Sequence, residues 1–398
     1  MLPKSFIKKT FPLLGFGYLF SFFSGFGQTY ILSLYVPAIA GAFSLSNSGF
    51  GSIYAFATLA SGLTLPWLGS WFDKSTVKNY SIFVLSGLIA SLLLLSISQY
   101  LFLVVIAFYG LRLFGQGLMG HTAVSTVARY FHEGRGKAIG TATLGHPTAE
   151  AIMPILIAIL IATVDWRTSL QISALLCLVL VIPLSQILLK KGASRIRAYS
   201  IRQVVQPSSS KRTKIQNILL DRRFWIMSPL IFSFGFINTA LFFFQLKFGH
   251  ERGWSTEWVA LSVSAFAIAN ATGLTFAGPL VDKYSSKSLF KKFSFPYLVG
   301  LIGLIFFKHP FAYPASLFFL GFSNGMGSTI KNVLMVEIYG VSIIGKVRSV
   351  FTTVSVISTG LGPAIFGILL DKNLSFSQAF IWSASFMLLT IINAWRKF

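Results

Sequence analysis

The sequence predicts an all-α integral membrane protein, with twelve transmembrane helices arranged as two pseudo-symmetric six-helix bundles. Three observations predict it. Of 398 residues, 54% are hydrophobic and only 11% charged, with 41 Phe and a mean hydropathy of +0.73; a soluble chain covers its surface with roughly a quarter charged residues. Apolar runs of about 20 residues recur along the chain, the length an α-helix needs to cross hydrocarbon. A charged signature, G-x-x-x-D-K-x-x-x-K, is written twice, at Gly69-Asp73-Lys74-Lys78 and at Gly278-Asp282-Lys283-Lys287, 209 residues apart. The same offset carries Gly136-Lys137 onto Gly345-Lys346 and Pro154 onto Pro363. A hydrophobic chain that repeats after half its length is most simply two equivalent membrane bundles around a shared path.

The apolar runs lie at 11–42, 48–72, 79–97, 100–128, 138–163, 168–189, 224–247, 255–281, 290–307, 311–336, 347–370 and 375–394. Hydrocarbon offers no water to backbone groups, so the runs are expected to be helices. The short alternating segments of a membrane β-barrel are not seen. The first run follows Lys4, Lys8 and Lys9 but is too long for a secretory signal and lacks a clean small-residue cleavage site, so it reads as an uncleaved span. Between the sixth and seventh runs, 190–223 is basic and contains Pro207-Ser208-Ser209-Ser210. It reads as a cytoplasmic linker on the lipid headgroups, with 214–223 a short amphipathic interfacial helix. The expected domains are therefore 1–189, 190–223 and 224–398. The other loops leave no room for an extramembrane catalytic domain, and the lone Cys177 excludes a disulfide framework or a Cys-based metal site.

The net charge of +23 invites a nucleic-acid reading, but its distribution argues for a membrane one. With the N-terminus placed inside, 26 of the 33 Lys and Arg fall at cytoplasmic ends and in the linker. Only five (Arg167, Lys247, Arg252, Lys308 and Lys372) fall on the opposite face, and Arg112 and Lys331 lie within spans. That bias orients the chain with both termini cytoplasmic, as a multi-pass protein of the cell's inner (plasma) membrane. The basic loops then set topology and meet anionic membrane lipids; no nucleic acid is implied.

Motifs of catalysis fail on context. Gly321-Phe322-Ser323-Asn324-Gly325 fits G-x-S-x-G, but it lies inside an apolar span with no suitably placed His after it. His132-Glu133 is not followed by the second His of a zinc protease. No phosphate-binding loop is present, so the expectation is no enzyme, no cofactor and no metal.

Twelve spans, a basic central loop and the duplicated loop signature resemble the major facilitator superfamily over essentially the whole chain. In that family the loop between spans 2 and 3 reads roughly G-x-x-x-D-R/K-x-G-R/K. Here it agrees at Gly69, Asp73 and Lys74 and departs at Thr76. Arg112-Leu113-Phe114-Gly115-Gln116-Gly117 is similar to the R-x-x-Q-G of span 4, with one residue extra. Span 5, from Gly140 to Pro154, has Gly145-His146-Pro147 and lacks the Gly-Gly pair of the family's proton-driven drug exporters. The resemblance implies a secondary transporter working by alternating access, with spans 1, 4, 7 and 10 lining its cavity. It also implies a cytoplasmic gate in which Asp73 and Asp282, each beside a lysine (Lys74, Lys283), face helix N-termini, with Arg129 and Glu337 as partners. The alternative is that these residues only mark helix ends. Gly367 to Asp371-Lys372 repeats half the signature on the opposite face.

Polar side chains inside spans are costly and therefore informative. Gln28 and Tyr35 lie seven apart in span 1; Asn238 and Gln245 do so in span 7, each offset by 210 from its counterpart. Arg112 and Gln116 are one turn apart in span 4, and Asn324, Ser328 and Lys331 form a stripe in span 10. These fall on the helices that the resemblance places around the path, which makes Gln28, Tyr35, Arg112, Gln116, Asn238, Gln245, Asn324 and Lys331 the expected substrate-binding set. Interhelical hydrogen bonding is the alternative for any one of them. Arg112 lies roughly 18 Å along its span and Lys331 roughly 27 Å along its own, near the interface. Glu150 is as deep as Arg112, with His146 one turn before it on the same face. That pair can take up and release a proton, or Glu150 can brace Arg112 as a fixed ion pair. The Arg112 fork suits a carboxylate or phosphate. The reading is uptake of a small organic anion with a proton as co-ion by a monomer, with export of amphipathic compounds and a non-transporting sensor as alternatives. His121 reads as helix packing.

Overall fold

The computed structural model describes residues 4–131, 135–193, 196, 218–340 and 344–397, with the side chains of 4–10, 135–137, 282, 344–346, 349 and 397 outside the description. The side chain of Asp282, the repeated Gly-Lys pairs, His132-Glu133 and most of the linker, including 214–217, thus lie outside the described residues. Everything described is helix or short connection, with no strand.

The first run is two helices, α1 (Lys4–Phe23) and α2 (Thr29–Ala42), separated by a tight turn at Ser24–Gly27. α3 (Asn47–Lys74) and α4 (Val77–Ser96) follow. The fourth run is continuous but changes pitch, from α5 (Leu101–Gly110) through a π-helical stretch, Leu111–Met119, into α6 (Gly120–Tyr130). α7 (Arg135–Thr143) and α8 (Gly145–Val164) make the fifth run; α9 (Trp166–Leu176), a π stretch at Cys177–Val181 and α10 (Ile182–Lys191) make the sixth. Then come α11 (Arg222–Phe243), α12 (Gln245–Glu251), α13 (Thr256–Lys283), α14 (Ser286–Lys292) and α15 (Phe295–Phe306). α16 (Ala312–Tyr339), α17 (Ile344–Asp371) and α18 (Phe376–Lys397) complete the chain.

Nine helical stretches among the described residues are long and apolar enough to cross a bilayer: Val77–Ser96, Leu101–Tyr130, Ala138–Val164, Trp166–Lys191, Arg222–Phe243, Thr256–Val281, Ser286–Phe306, Val350–Asp371 and Phe376–Arg396. The other three apolar runs are helical too, but the first is broken, and α3 and α16 carry more Gly, hydroxyl and amide residues.

Loop residues start the helices by supplying side-chain acceptors to otherwise orphaned N–H groups. Thr76 caps α4, Asp221 caps α11, and Ser255 and Ser285 cap α13 and α14. Asp165 caps α9 from a left-handed backbone, φ 93°, accepting from the amides of Arg167 (2.7 Å) and Thr168 (3.1 Å).

The described chain divides into two compact units, Met1–Tyr35 with Ala57–Ser208, and Val36–Phe56 with Ser209–Phe398. In the first, α1 packs on α6, α7 and α8, and α4 on α9. In the second, α13 and α16 are the most intimate pair, because glycines let their backbones touch. A methyl group at Gly321 would strike the Phe266 carbonyl, and one at Gly325 the Asn270 carbonyl. The G-x-S-x-G run is therefore a small-xxx-small packing seam. α3 starts in the second unit, where Gly51 lies against Pro363 and Gly367 against Asn47.

Candidate functional site

In the first unit, polar chemistry gathers where two helices lose their regular geometry. The turn at Ser24–Gly27 interrupts span 1, and Gln28 follows it in extended conformation, φ −87° and ψ 152°. The π stretch of span 4 lies against that turn. A methyl group on Gly27 would collide with the Leu111 carbonyl and the Gln116 amide, and one on Gly115 would lie 2.7 Å from Gly27 N. Breaking the first helix exposes carbonyls that hydrocarbon cannot satisfy, and Arg112 answers one: its Nη1 donates to Gly27 O at 3.1 Å. Arg112 is 1% exposed, the largest fully buried side chain described. A π turn holds one more residue than an α turn, which is how span 4 absorbs its extra residue without turning the rest of the helix.

Glu150, also buried, projects from α8, whose Ala149 and Met153 pack against Gly25 of the same turn. The Tyr30 ring meets His146 edge-on, centroids 6.1 Å apart, and lies within the electrostatic reach of Glu150. The first unit therefore brings together the span 1 break, Arg112 and Gln116 from span 4, and His146 and Glu150 from span 5. Tyr35 goes elsewhere: fully buried, its hydroxyl pairs with Ser169 Oγ at 3.0 Å.

The second unit holds a neutral relay across four helices. Tyr297 of α15 donates to Asn238 Oδ1 of α11 at 2.7 Å; Asn238 Nδ2 donates to Asn324 Oδ1 of α16 at 3.3 Å; Asn324 Nδ2 donates to Asn270 Oδ1 of α13 at 3.3 Å. Asn238 and Asn324 were legible as candidates; Asn270 and Tyr297 were not, although Asn270 is an amide in the middle of an apolar run and could have been flagged. Gln245 is fully buried just after the break at Phe244, accepting from the Tyr313 hydroxyl at 3.5 Å. Lys331 is half-buried on α16.

The loop signatures resolve partly. Arg129 donates to Asp73 at 2.6 Å, both within the first unit, with its guanidinium carbon 4.1 Å from the Phe72 ring centroid. The Asp73 side chain is 81% exposed, and such a pair contributes about 0–1 kcal/mol. Glu337 accepts from Ser286 at the start of α14. Lys74 and Lys283 are exposed. His121 packs between α6 and α3, its ring 5.8 Å from Phe72. Asp371, ending the half-signature, binds the start of α3: Oδ1 accepts from Asn47 N (3.1 Å) and Nδ2 (2.7 Å), and Oδ2 from Ser48 N (2.8 Å). Lys247 Nζ completes this cluster by donating to Asn47 Oδ1 at 3.0 Å.

A multi-pass helical protein that carries charges and amides inside its spans is the kind of scaffold on which membrane solute transporters are built. Residues 17–363 and 260–398 match the Major Facilitator Superfamily, and the chain belongs to that family. It is 28% identical over 299 residues to the fosmidomycin resistance protein of Escherichia coli (strain K12), a match covering 70% of this chain and 67% of that protein. Two crystal structures of a bacterial homolog of the human lysosomal transporter Spinster share its fold. The inward-facing unoccupied form gives a TM-score of 0.71 at 15% identity, over 97% of this chain and 96% of that one. The inward-facing occupied form gives 0.71 at 15%, over 99% and 97%.

Proposed function

We propose that this protein is a proton-coupled secondary transporter that moves a small organic anion by alternating access. Its twelve spans form two six-helix bundles, and it works as a monomer in the inner membrane with both termini cytoplasmic. The observation that carries the reading is the buried Arg112 on the span 1 break, with Glu150 on the neighbouring helix. One guanidinium nitrogen donates to Gly27 O, which holds the fork in place, and a guanidinium is the side-chain group that best matches a carboxylate or phosphate. Within the first unit Gln28 and Gln116 are the neighbouring substrate-binding groups, and within the second the Asn238–Asn324 amides, Gln245 and Lys331 are. Glu150, with His146 assisting, takes up and releases the coupled proton. Asp73, Lys74 and Arg129 in the first unit, and Asp282, Lys283 and Glu337 in the second, are the gating residues, while Asp371 on Asn47 and Ser48 fastens the other end of α3.

A thermal-shift screen of organic anions on purified protein identifies the ligand. In proteoliposomes, Glu150→Gln is expected to bind that ligand yet lose accumulation driven by a pH gradient, and a protonophore should abolish accumulation by the native protein. Undiminished accumulation by Glu150→Gln removes the coupling role. Export is the second reading, favoured by the relative named for fosmidomycin resistance; inside-out vesicles that concentrate the ligand would establish it over uptake.

A further inference from the structure

Lys78, the last position of the first loop signature, has no part in the gate described above. It lines a cavity of about 620 Å³ at the end of the first unit, together with Thr76, Tyr130, Gln186, Ile187 and Lys190. We propose that this cavity is a binding site for an anionic phospholipid whose headgroup carries a hydrogen-bond donor, as phosphatidylglycerol does. Charge is the first argument: both lysines are exposed, and they line the cavity with Thr76 and Val77 at the N-terminus of the 20-residue α4, where amide dipoles favour a phosphate. The second argument is independent and concerns Gln186. Its Nε2 donates to Ser81 Oγ at 3.1 Å and Ser185 Oγ at 3.2 Å. Those hydroxyls have already given their protons to the carbonyls of Lys78 and Ile182, so they can only accept, and the amide cannot be turned round. Gln186 Oε1 is consequently a buried acceptor without a hydrogen-bond partner among the described residues. Such an acceptor calls for a donor, and a glycerol hydroxyl beside a phosphate supplies one. Ile187 and Leu189 give the cavity the apolar wall that acyl chains need.

The test is native mass spectrometry of the full-length protein in detergent with phosphatidylglycerol or phosphatidylcholine added. The native protein should retain phosphatidylglycerol about 10-fold better than phosphatidylcholine, as two lysines at an anionic headgroup lead one to expect. Lys78→Gln with Lys190→Gln should erase that preference. Gln186→Leu should lower retention of phosphatidylglycerol while leaving retention of phosphatidylmethanol, an anionic phosphodiester whose headgroup has no hydrogen-bond donor, unchanged. Unfolding temperatures in detergent alone should match the native value for all variants, which separates lost binding from lost folding. Equal retention of both lipids, undiminished retention by the lysine pair, or displacement of the lipid by soluble glycerol phosphate overturns the proposal.

Discussion

The first unit places an arginine and a glutamate in its apolar interior, whereas the second unit places three asparagines and a tyrosine there. The 209-residue offset sets Arg112 against Gly321, Gln116 against Gly325, His146 against Ser355 and Glu150 against Thr359. Where the first unit has charged, titratable or amide side chains, the second has packing glycines, and hydroxyls that bond to their own helices. Ser355 Oγ donates to Phe351 O at 3.2 Å and Thr359 Oγ1 to Val356 O at 2.9 Å. The two units thus share their loop signatures and proline positions in sequence while differing in their buried chemistry. The first unit buries an arginine and a glutamate, and the second, with Lys331 only half-buried, buries neutral hydrogen-bonding groups beside a glycine seam.

Arg112→Ala gives the sharpest break of this comparison. It removes a charged donor and leaves the Gly27 carbonyl unanswered, and hydrogen bonds to charged groups are worth about 1.5–3 kcal/mol. Flux in proteoliposomes should fall about 100-fold, against less than about 10-fold for Asn324→Ala. Equal losses would mean that the two units do not divide the chemistry. The next largest effect is on stability, and both units should share it. Gly115→Ala and Gly325→Ala press a methyl group into backbone and should each cost about 2 kcal/mol in denaturant unfolding. A neutral result at either position would show that its seam can open.

A smaller effect tests the relay. Interhelical hydrogen bonds in membranes average about 0.6 kcal/mol and reach about 1.7. Asn270→Leu should therefore destabilise the protein by about 1 kcal/mol without changing the pH dependence of transport, whereas Glu150→Gln should change that dependence. The smallest effect concerns the caps, one in each unit. Hydrogen bonds from Thr168 hold the Asp165 carboxyl below the ordinary 3.8, and those from Arg223 do the same for Asp221. A depressed carboxyl contributes stability above its unfolded value and loses it as pH falls through the folded one. Thermal stability should therefore decline more steeply below about pH 4 in the native protein than in Asp165→Asn with Asp221→Asn.

Much of the fold was legible because apolar length is a local property of a chain in lipid. Residues near every expected span do form helix, and Asn238, Asn324, Arg112 and Glu150 stood out because polarity in hydrocarbon is conspicuous. What escaped was anything that depended on a neighbour. Tyr35 looked like a companion of Gln28, but its hydroxyl found Ser169 on another helix. Asp371 read only as half of the loop signature on the opposite face, yet it binds the start of α3.

The sequence by itself determined that this chain is a helical membrane protein of a transporter family with a repeated loop signature, because composition, period and repeat are properties of residue order alone. Only the tertiary structure decided where helices break. The span 1 turn exists because Gly27 can press against Gly115 and because Arg112 reaches back to satisfy a freed carbonyl. Those conditions are met by residues more than eighty positions apart, so no local reading of either segment could contain them.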